Sequence, residues 1–494
     1  MEFKSLAVAD ATGGGGGDEK QADFLKAAAS QPKEQRAQLD TQPADAYAFI
    51  LCLGQKVRLA GGLRSHLPLK ASASQGSSSA VFGKIFNRKE ELAALNLRLD
   101  DSPSELLILL GPANCGKTKL LQEVKKDREL AQAVIGEGPP PILYLNCRGK
   151  DISSPQQFAN AIRELVIGDA VLKNWWAGIK LKFPGFELDL EKIFEPAAGK
   201  RPMESIIASL TTFLEATRPL PYKPVIIIDE ANVLLDWHDD PGHTQLKALL
   251  RFFVKTTKED HLGHFVLASS ESFVIDFLEK EGLHSKQYVT HEIGDLATID
   301  EAKQFVESLM LCKTAPSSFF DTTENGEQID MWPRVYEICG GNIGLLERCA
   351  KHSRRLKSWE KGLEEVSTDL EDAVQRGLGP EDFPTSGSRS LASWTEEDYK
   401  TVLREIALAK KHRHAVSFKK LRKMVGKKAL RSMVEWNLVA LRRKSLWAKD
   451  LPATLFADLN DTKLLTMPSP VELYFILKMY DDGELEAAPP NDDK

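Results

Sequence analysis

The chain has 494 residues, a length that predicts about three structural units at roughly 150 residues per domain. Its 65 Lys and Arg against 71 Asp and Glu give a formal charge of −6, and 42% of its residues are apolar and 28% charged. These values are typical of a soluble globular protein and exclude wholesale disorder, collagen-like repeats and a disulfide scaffold. Apolar runs such as 46–53 are shorter than the roughly 18–20 residues that cross a bilayer, so no membrane span is predicted.

The first 80 residues and the cysteines indicate little chemistry. Residues 1–80 contain a glycine run and a Ser/Ala/Gly tract, and we predict a largely flexible leader with a short helix at Ala22–Ala29. The amino terminus lacks the order of a secretory signal, so an intracellular, soluble protein is expected, in the cytoplasm or the nucleus. The six cysteines include no C-x-x-C pair, which favours reduced, buried thiols over a zinc or redox site.

Short apolar runs alternate with helical patterns through residues 81–296, which is typical of a parallel sheet flanked by helices. The runs predicted to be core strands are Glu105–Leu110, Ile142–Asn146, Val225–Asp229, His264–Ser269 and Tyr288–Ile293. We therefore predict an α/β nucleotide-binding core over 81–296.

One segment of this core, 179–190, alternates strictly on both sides of a central Pro-Gly pair. Folded at that pair, it would set Lys182 opposite Glu187 and Lys180 opposite Asp189. The pattern predicts a β-hairpin insertion that packs on the core or contacts a partner.

The strand pattern stops after Gly294. Helices predicted at Thr298–Leu311 and Trp332–Arg355 form a helical lid over 297–376, and the Pro, Gly and Ser content of 377–393 predicts a linker. A winged-helix domain is predicted over 394–480, followed by an acidic tail over 481–494.

The predicted winged helix begins with a capping box formed by Ser393 and Glu396, which starts a helix to about residue 411. Ser417 starts a second helix, and Gly426 separates it from a third that ends near residue 436. A strand over 438–441 and a basic turn over 442–445 complete the helix–helix–helix–hairpin order.

The segment GPANCGKT follows the first predicted strand at once and precedes a helical pattern, which is the context that a G-x-x-x-x-G-K-[ST] motif requires. Its glycines let backbone N–H groups converge on phosphate oxygens at a helix amino terminus. Lys117 supplies the charge for the β- and γ-phosphates, and the Thr118 hydroxyl is a candidate Mg²⁺ ligand. The predicted phosphate-binding residues are Gly111, Pro112, Ala113, Asn114, Cys115, Gly116, Lys117 and Thr118.

Two consecutive acids, Asp229 and Glu230, end the apolar strand VIIID. Buried carboxylates without a metal or solvent partner are destabilising, so their position favours chemistry over structure. Asp229 is predicted to hold Mg²⁺, and Glu230 to polarise the attacking water, which makes Glu230 and Lys117 the predicted catalytic residues of a hydrolase.

Other polar positions follow the neighbouring strand and open a later helix. Ser269 and Ser270 are candidate sensors of the γ-phosphate, or ordinary turn residues. Gly340 and Gly341 precede a helix that carries Arg348.

The window 400–449 holds sixteen Lys or Arg against two Glu, a charge of +14 that leaves −20 for the rest of the chain. Such asymmetry indicates a surface that meets phosphates of DNA or RNA, or one that docks on the chain's own acidic core or a partner protein. The predicted nucleic-acid contacts are Lys427, Lys428, Arg431, Arg442, Arg443 and Lys444.

Taken with the motifs GPANCGKT, VIIIDEAN and LASSES, the segment FNRKEEL and the CGGN helix, the chain resembles the archaeal-type ATPases, a family of the STAND and AAA+ branch of P-loop NTPases. The likeness covers roughly 81–480, although this family usually has Gly-x-Pro where the chain has Gly341-Asn342-Ile343. More distantly, the chain is similar to the origin-recognition ATPases. The resemblance implies an additional-strand, catalytic-glutamate sheet, a helical lid and Walker roles for Lys117, Thr118, Asp229 and Glu230. It also raises the question of an arginine finger, for which Arg251 and Arg348 are the candidates.

Two functions follow from these patterns. The first is an ATP-hydrolysing switch or remodelling ATPase that uses ATP and Mg²⁺. Such a protein would assemble with copies of itself or bind a protein partner. The second is a nucleic-acid-binding or scaffolding protein whose nucleotide sets its conformation and is rarely turned over. A small-molecule kinase is disfavoured, because Glu230 suits water activation and no second substrate motif is present.

Overall fold

The computed structural model of the chain describes residues 86–135, 139–182, 188–197, 199–237, 240–383 and 391–485. The predicted leader 1–80, with its helix at Ala22–Ala29, lies outside these ranges, as do residues 486–494 of the predicted acidic tail. None of the helices in the described ranges combines the length and apolar character that a membrane span requires.

A parallel five-stranded sheet forms the centre of the core. Its strands are β1 (Leu106–Leu110), β2 (Ile142–Asn146), β3 (Val225–Asp229), β4 (His264–Ala268) and β5 (Tyr288–Glu292). The spatial order is β2-β3-β4-β1-β5, and every adjacent pair is parallel. All five predicted strands are confirmed to within one residue at each end. The interposed β4 is the additional strand that the resemblance implied, so the P-loop NTPase α/β fold is confirmed.

Helices cover both faces of this sheet. Those of the core are α1 (Lys89–Asp100), α2 (Lys117–Ile135), α3 (Pro155–Gly168), α4 (Ala170–Lys182), α5 (Leu190–Ile193), α6 (Pro202–Ala216), α7 (Thr244–Val254) and α8 (Val274–Lys280). Within β1, Leu107 and Leu109 pack with α1 and α2, whereas Leu106, Ile108 and Leu110 pack with α3, α6 and α7. Alternate residues of one apolar strand therefore supply two cores, which explains its unbroken apolar sequence.

The predicted β-hairpin at 179–190 is wrong. Residues Ile179–Lys182 belong to helix α4, and Asp189 accepts a hydrogen bond from the Glu191 amide as the N-cap of α5. Within α4, Leu172, Trp176 and Ile179 are buried at i, i+4 and i+7. The first residue of the segment, Ile179, therefore continues the buried face of a helix that begins earlier in the chain. The Pro-Gly pair and Glu187 lie outside the described residues.

The lid consists of α9 (Ile299–Leu311), α10 (Trp332–Cys339), α11 (Ile343–Leu356) and α12 (Trp359–Leu378). The largely helical stretch predicted over 332–355 consists of α10 and α11, which are separated at the glycines predicted to open the helix of Arg348. The expectation of an all-helical lid needs correction, because the lid also contains strands. The antiparallel pair β6 (Phe320–Thr322) and β7 (Gln328–Asp330) is too short to produce a readable period. Asp321 of this hairpin accepts hydrogen bonds from the backbone N–H groups of Trp359 and Glu360, at the start of α12.

The break in the lid follows from Gly340 and Gly341. Gly340 has a φ of 53°, a conformation that favours glycine. A Cβ atom on Gly341 would lie 2.1 Å from the carbonyl oxygen of Leu296, so the lid backbone touches the core directly here. These glycines bring the amino terminus of α11 to the edge of the sheet.

The start of the predicted linker 377–393 is corrected. Helix α12 continues to Leu378, and the Trp394 indole donates a hydrogen bond to the Gly377 carbonyl. A Cβ atom on Gly377 would lie 2.3 Å from the Tyr399 ring, so this glycine marks close packing and not a flexible connection. Residues 384–390 lie outside the described part of the chain.

The carboxy-terminal unit, 394–485, contains α13 (Glu396–Leu408), β8 (Val416–Ser417), α14 (Phe418–Val425), α15 (Lys427–Glu435), β9 (Ala440–Arg443), α16 (Ala453–Asp458), β10 (Lys463–Thr466) and α17 (Pro470–Asp481). Its antiparallel sheet has the order β8-β10-β9. Ser417 caps α14, as predicted, but the first capping box is formed by Thr395 and Asp398, two residues later than predicted. The predicted basic turn is corrected too, because Arg442 and Arg443 lie within β9.

One cluster of buried side chains joins the lid to the carboxy-terminal unit. It includes Trp332 and Leu363 of the lid and Val402, Leu430 and Ile476 of the carboxy-terminal unit. Burial of such side chains contributes about 1.5–3 kcal/mol each relative to exposure. The two units are therefore held together by a shared hydrophobic core.

Candidate nucleotide site

Residues 111–118 form a tight loop between β1 and the amino terminus of α2. Gly111 and Gly116 have φ values of 152° and 102°, and Asn114 between them has 63°. A Cβ atom on Gly111 would lie 2.1 Å from the Ile293 carbonyl oxygen, so the residue at this position must be glycine for the loop to meet the end of β5. The predicted phosphate-binding segment thus stands at the carboxyl edge of the sheet, where ligands of α/β folds bind.

The Lys117 side chain is buried and points back over this loop. Its ammonium group donates hydrogen bonds to the carbonyl oxygens of Gly111 and Pro112, both at 2.8 Å. These neutral acceptors hold the charge at the loop, and a phosphate oxygen would be a stronger, charged acceptor for the same donors. Lys117 and Thr118 line the same cavity.

Asp229 ends β3 and is almost completely buried. Its carboxylate accepts a hydrogen bond from the Tyr144 hydroxyl at 2.6 Å and another from the Glu230 backbone N–H at 3.1 Å. Burial and the bond to Asp229 raise the pKa of Tyr144, so the phenol remains a donor at neutral pH. Tyr144 fixes the orientation of the carboxylate, a contact between adjacent strands that the sequence pattern did not reveal.

Glu230 adopts a left-handed backbone conformation, with φ 59° and ψ 47°, at the junction between β3 and a 3₁₀ turn. Such a conformation costs about 1–3 kcal/mol for a residue other than glycine and is concentrated at functional sites. Its carboxylate forms an ion pair with Arg148, and both residues line the cavity beside Lys117 and Thr118. Sequence analysis missed Arg148, which lies 82 positions from its partner.

The two candidate sensor serines face different surroundings. Ser269 is buried, and its hydroxyl accepts a hydrogen bond from the Glu271 N–H at 3.0 Å and lies 3.5 Å from Asn232. Ser270 lines the cavity with Glu230. The structure therefore brings Ser270, and not the side chain of Ser269, to the surface of the site.

The lid contacts the phosphate-binding loop through the first residues of α11. The Asn342 amide donates to the Ala113 carbonyl and to the Asp295 carboxylate, both at 3.0 Å, while its oxygen caps the helix. The Gly344 N–H donates to the Asn114 carbonyl at 3.2 Å. Burial and the nearby Asp450 raise the pKa of Asp295 to about 7. Asn342 is thus a direct link between the lid and the phosphate-binding loop.

Replacing Gly344 with Ala is expected to separate the lid from the loop, because the new Cβ would lie 2.4 Å from Cβ of Asn114. We expect a loss of about 1–3 kcal/mol in the free energy of unfolding, measured in urea, and weaker nucleotide binding by titration. Gly178→Ala in α4 is the matched control, since it meets no atom within 4 Å and should stabilise by about 0.4–1 kcal/mol. Equal stability of the two variants would show that α11 does not pack closely against the phosphate-binding loop at Gly344.

The cavity between core and lid has a volume of about 740 Å³. One part is lined by the phosphate-binding loop, Arg148 and Glu230. The other is apolar and includes Phe86, Phe305, Leu309 and Ile343, with the Phe86 and Phe305 rings in an edge-to-face contact at 5.4 Å. A cavity with one charged and one aromatic part suits a nucleotide, whose phosphates and base differ in the same way.

The two candidate arginine fingers are not among the described residues that line the 740 Å³ cavity. Arg251 is exposed on α7. Arg348 lines a smaller neighbouring cavity of about 240 Å³ beside the phosphate-binding loop and donates to the Glu365 carbonyl. Neither guanidinium contacts Glu230 among the described interactions.

The predicted nucleic-acid contacts divide into two groups. Lys427, Lys428, Arg431 and Lys444 are exposed. Arg442 is buried and forms ion pairs with Glu292 of the core and with Asp450. Arg443 forms an ion pair with Asp276 of α8 at 2.8 Å. Arg442 and Arg443 therefore dock on the chain's own core, which is the alternative that the charge count left open. The exposed predicted contacts lie on α15 and in the turn after β9.

Comparison with known proteins identifies a family for the core of the chain. Residues 85–349 match the model of an ATPase domain predominantly from Archaea. An uncharacterized ATP-binding protein of Pyrococcus abyssi is 25% identical over 284 residues, which are 56% of this chain and 74% of that protein. Across eight such archaeal relatives, the matched region spans between 53% and 77% of the relative.

Among solved structures, a Walker-type ATPase of Pyrococcus abyssi aligns with a TM-score of 0.48 and 16% identity, over 80% of this chain and 96% of that one. The ORC2 protein of Aeropyrum pernix aligns with a TM-score of 0.41 and 13% identity, over 81% and 94%. With the family model matching more than half of its residues, the chain belongs to the family of ATPase domains found predominantly in Archaea.

Proposed function

We propose that this chain binds Mg·ATP in the cavity between core and lid and hydrolyses it to drive a change in the position of the lid and carboxy-terminal unit. One observation carries the proposal: the phosphate-binding loop, Glu230 and the lid helices α9 and α11 line a single cavity of about 740 Å³. In this assignment Lys117 binds the β- and γ-phosphates, and Glu230 accepts the proton of the attacking water.

The residues present suit a magnesium ion. The Thr118 hydroxyl and the Asp229 carboxylate are oxygen donors, which Mg²⁺ prefers, and the ion needs few protein ligands because waters and phosphate oxygens complete its shell. No group of three or more acidic, His or Cys side chains forms a metal cluster within the described ranges, which excludes a dedicated protein cage there. When bound, Mg²⁺ would neutralise phosphate charge, while Tyr144 keeps Asp229 in place.

The contacts of Asn342 and Gly344 support a switch. Both residues hydrogen-bond to carbonyl groups of the phosphate-binding loop, so a loop that rearranges around phosphate changes the acceptors of the lid. The lid shares its buried core with the carboxy-terminal unit and would carry that unit with it. A nucleotide-dependent change at the loop would thereby reach a surface far from the site.

The test is steady-state hydrolysis of ATP by the purified chain, with and without duplex DNA, at low and moderate salt. Glu230→Gln serves as the blank. Turnover that is absent from the wild-type chain under all conditions would overturn hydrolysis and leave the alternative, a nucleotide-dependent scaffold with little turnover.

We also propose, as a second function, that the unit has the winged-helix fold and binds nucleic acid through α14 and α15. The order helix, short strand, helix, helix, strand, with a further short helix α16 before the last strand, supports the fold assignment. Charge supports the partner, since these two helices expose Lys419, Lys420, Arg422, Lys423, Lys427, Lys428 and Arg431. Although Lys420 pairs with Glu405 and Lys419 with Asp461, the patch as a whole remains strongly basic.

Changing Lys427, Lys428 and Arg431 together to Gln is expected to weaken duplex binding and to reduce its salt dependence. Each lost phosphate contact lowers the slope of log affinity against log salt by about one, so a decrease of about three is expected. Fluorescence anisotropy over a salt series measures it. The same charge change at the exposed core residues Lys192, Lys200 and Arg201 is the control. Unchanged affinity in the α15 variant would favour a protein partner for this surface.

A further inference from the structure

Arg148 occupies an unusual place at the edge of the proposed active site. It lies two residues beyond β2, in a turn where the Asn146 side chain accepts a hydrogen bond from the Arg148 backbone N–H at 2.9 Å. Its own side chain is 71% exposed, whereas that of its ion-pair partner Glu230 is 14% exposed. A long side chain in solvent is thus tethered by its tip to the proposed water-activating carboxylate.

The other arginine of this cavity is anchored. Among the described residues that line it, guanidinium groups belong to Arg88 and Arg148. Arg88 is buried, and it bonds to the Glu91 carboxylate and to the carbonyl oxygens of Cys115 and Gly294. Its position is therefore fixed by the fold. Arg148, with its exposed stem, can rotate without breaking packing.

The chemistry of the guanidinium group allows an exchange of partners. Its planar donors match carboxylate and phosphate oxygens alike, and a γ-phosphate carries more charge than one carboxylate. Lys117, Thr118 and Ser270 line the same cavity and border the position where the terminal phosphate would lie. A phosphate held there competes with Glu230 for Arg148.

We propose that Arg148 is a further catalytic residue, an arginine that acts within the same chain by leaving Glu230 for the γ-phosphate of bound ATP. The proposal rests on the ATP binding and hydrolysis proposed above. While Glu230 is paired with Arg148, its Oε1 atom is occupied by the guanidinium group and is not available to the attacking water. Transfer of Arg148 to the phosphate frees Glu230 and places positive charge where negative charge develops.

The reaction step balances with these groups. The water oxygen forms a bond to the γ-phosphorus as the bond from that phosphorus to the β–γ bridging oxygen breaks. The electron pair stays on this oxygen, which becomes a terminal oxygen of ADP. Glu230 accepts the water proton and later releases it to solvent, and Arg148 contacts the oxygens of the transferred phosphoryl group.

Two measurements on Arg148→Ala test the proposal. In a Glu230→Gln background, which blocks turnover, titration calorimetry should show ATP affinity about 10- to 100-fold weaker than in Glu230→Gln alone, with ADP affinity unchanged. In the otherwise wild-type chain, turnover should fall roughly 10³-fold, and Arg148→Lys should recover part of it. Lys150→Ala, which removes an exposed charge from the same loop, should change neither quantity.

Specific outcomes would overturn it. Equal weakening of ATP and ADP would show that Arg148 does not contact the third phosphate. Faster turnover in Arg148→Ala would show that the ion pair only restrains Glu230. A wild-type chain that binds ATP without turnover would overturn the proposed hydrolysis, and the ratio of ATP to ADP affinities would still decide whether Arg148 contacts the γ-phosphate.

Discussion

Replacing Glu230 with Gln is expected to lower the rate of ATP hydrolysis by roughly 10²–10⁴-fold, the usual contribution of a positioned general base. The amide keeps the size of the side chain but cannot accept the proton of the attacking water. ATP binding should persist, because Lys117 and the loop backbone lie outside the change. Phosphate release in the steady state and equilibrium titration with ATP separate the two effects.

Glu259→Gln provides the control for this experiment, since Glu259 is exposed at the end of a π-helical turn before β4. It should hydrolyse ATP at the wild-type rate. Retention of wild-type turnover by Glu230→Gln would remove the proposed base. Loss of ATP binding together with turnover would instead indicate that Glu230 supports the structure of the site through its left-handed backbone.

Replacing Arg442 with Ala is expected to lower the free energy of unfolding by about 3–5 kcal/mol, the typical effect of breaking a buried ion pair. Arg442 is 7% exposed at its side chain and lies between Glu292 of β5 and Asp450. Burial and the Asp450 charge act in opposite directions on the guanidinium, and its pKa is raised overall, which reflects strong pairing. Without it, Glu292 would be a buried carboxylate with no cationic side chain beside it.

Urea unfolding measures the loss, with Lys444→Ala as the matched control because Lys444 is an exposed cation two positions along the chain. That control should change stability by no more than about 0.5 kcal/mol. Adding Glu292→Gln to Arg442→Ala should recover part of the loss, because it removes the uncompensated charge. If Arg442→Ala were as stable as the control, the buried pairing with the core would not hold in solution.

Much of the core was predictable because its signals are local. Apolar runs bounded by turns predicted all five parallel strands, and the spacing of GPANCGKT predicted a loop between β1 and α2. The segment 179–190 failed because its alternation is compatible with a helix whose buried stripe begins earlier, at Leu172. Strands of three residues, such as β6 and β7, carry no period at all.

The remainder of the site depends on contacts between distant positions. Charge counts placed a basic surface in 400–449 but could not assign Arg442 to Glu292, which lies 150 positions away. The pairing of Arg148 with Glu230 and the hydrogen bond from Tyr144 to Asp229 likewise depend on which strands are adjacent in the sheet, so no sequence motif predicts them. Sequence spacing identifies the groups that carry charge, and the sheet order determines which of them meet.

The buried core shared by the lid and the carboxy-terminal unit extends beyond the part of the chain that matches the family model. The family match ends at residue 349, inside α11, whereas the buried cluster to which this helix contributes continues to residue 485. A fragment cut at the family boundary would leave Leu345 and Leu346 without the side chains of α12 and α17 that complete their cluster. The family match and the buried core therefore have different limits in this chain, and we expect the smallest stable fragment that retains the lid to include the carboxy-terminal unit as well.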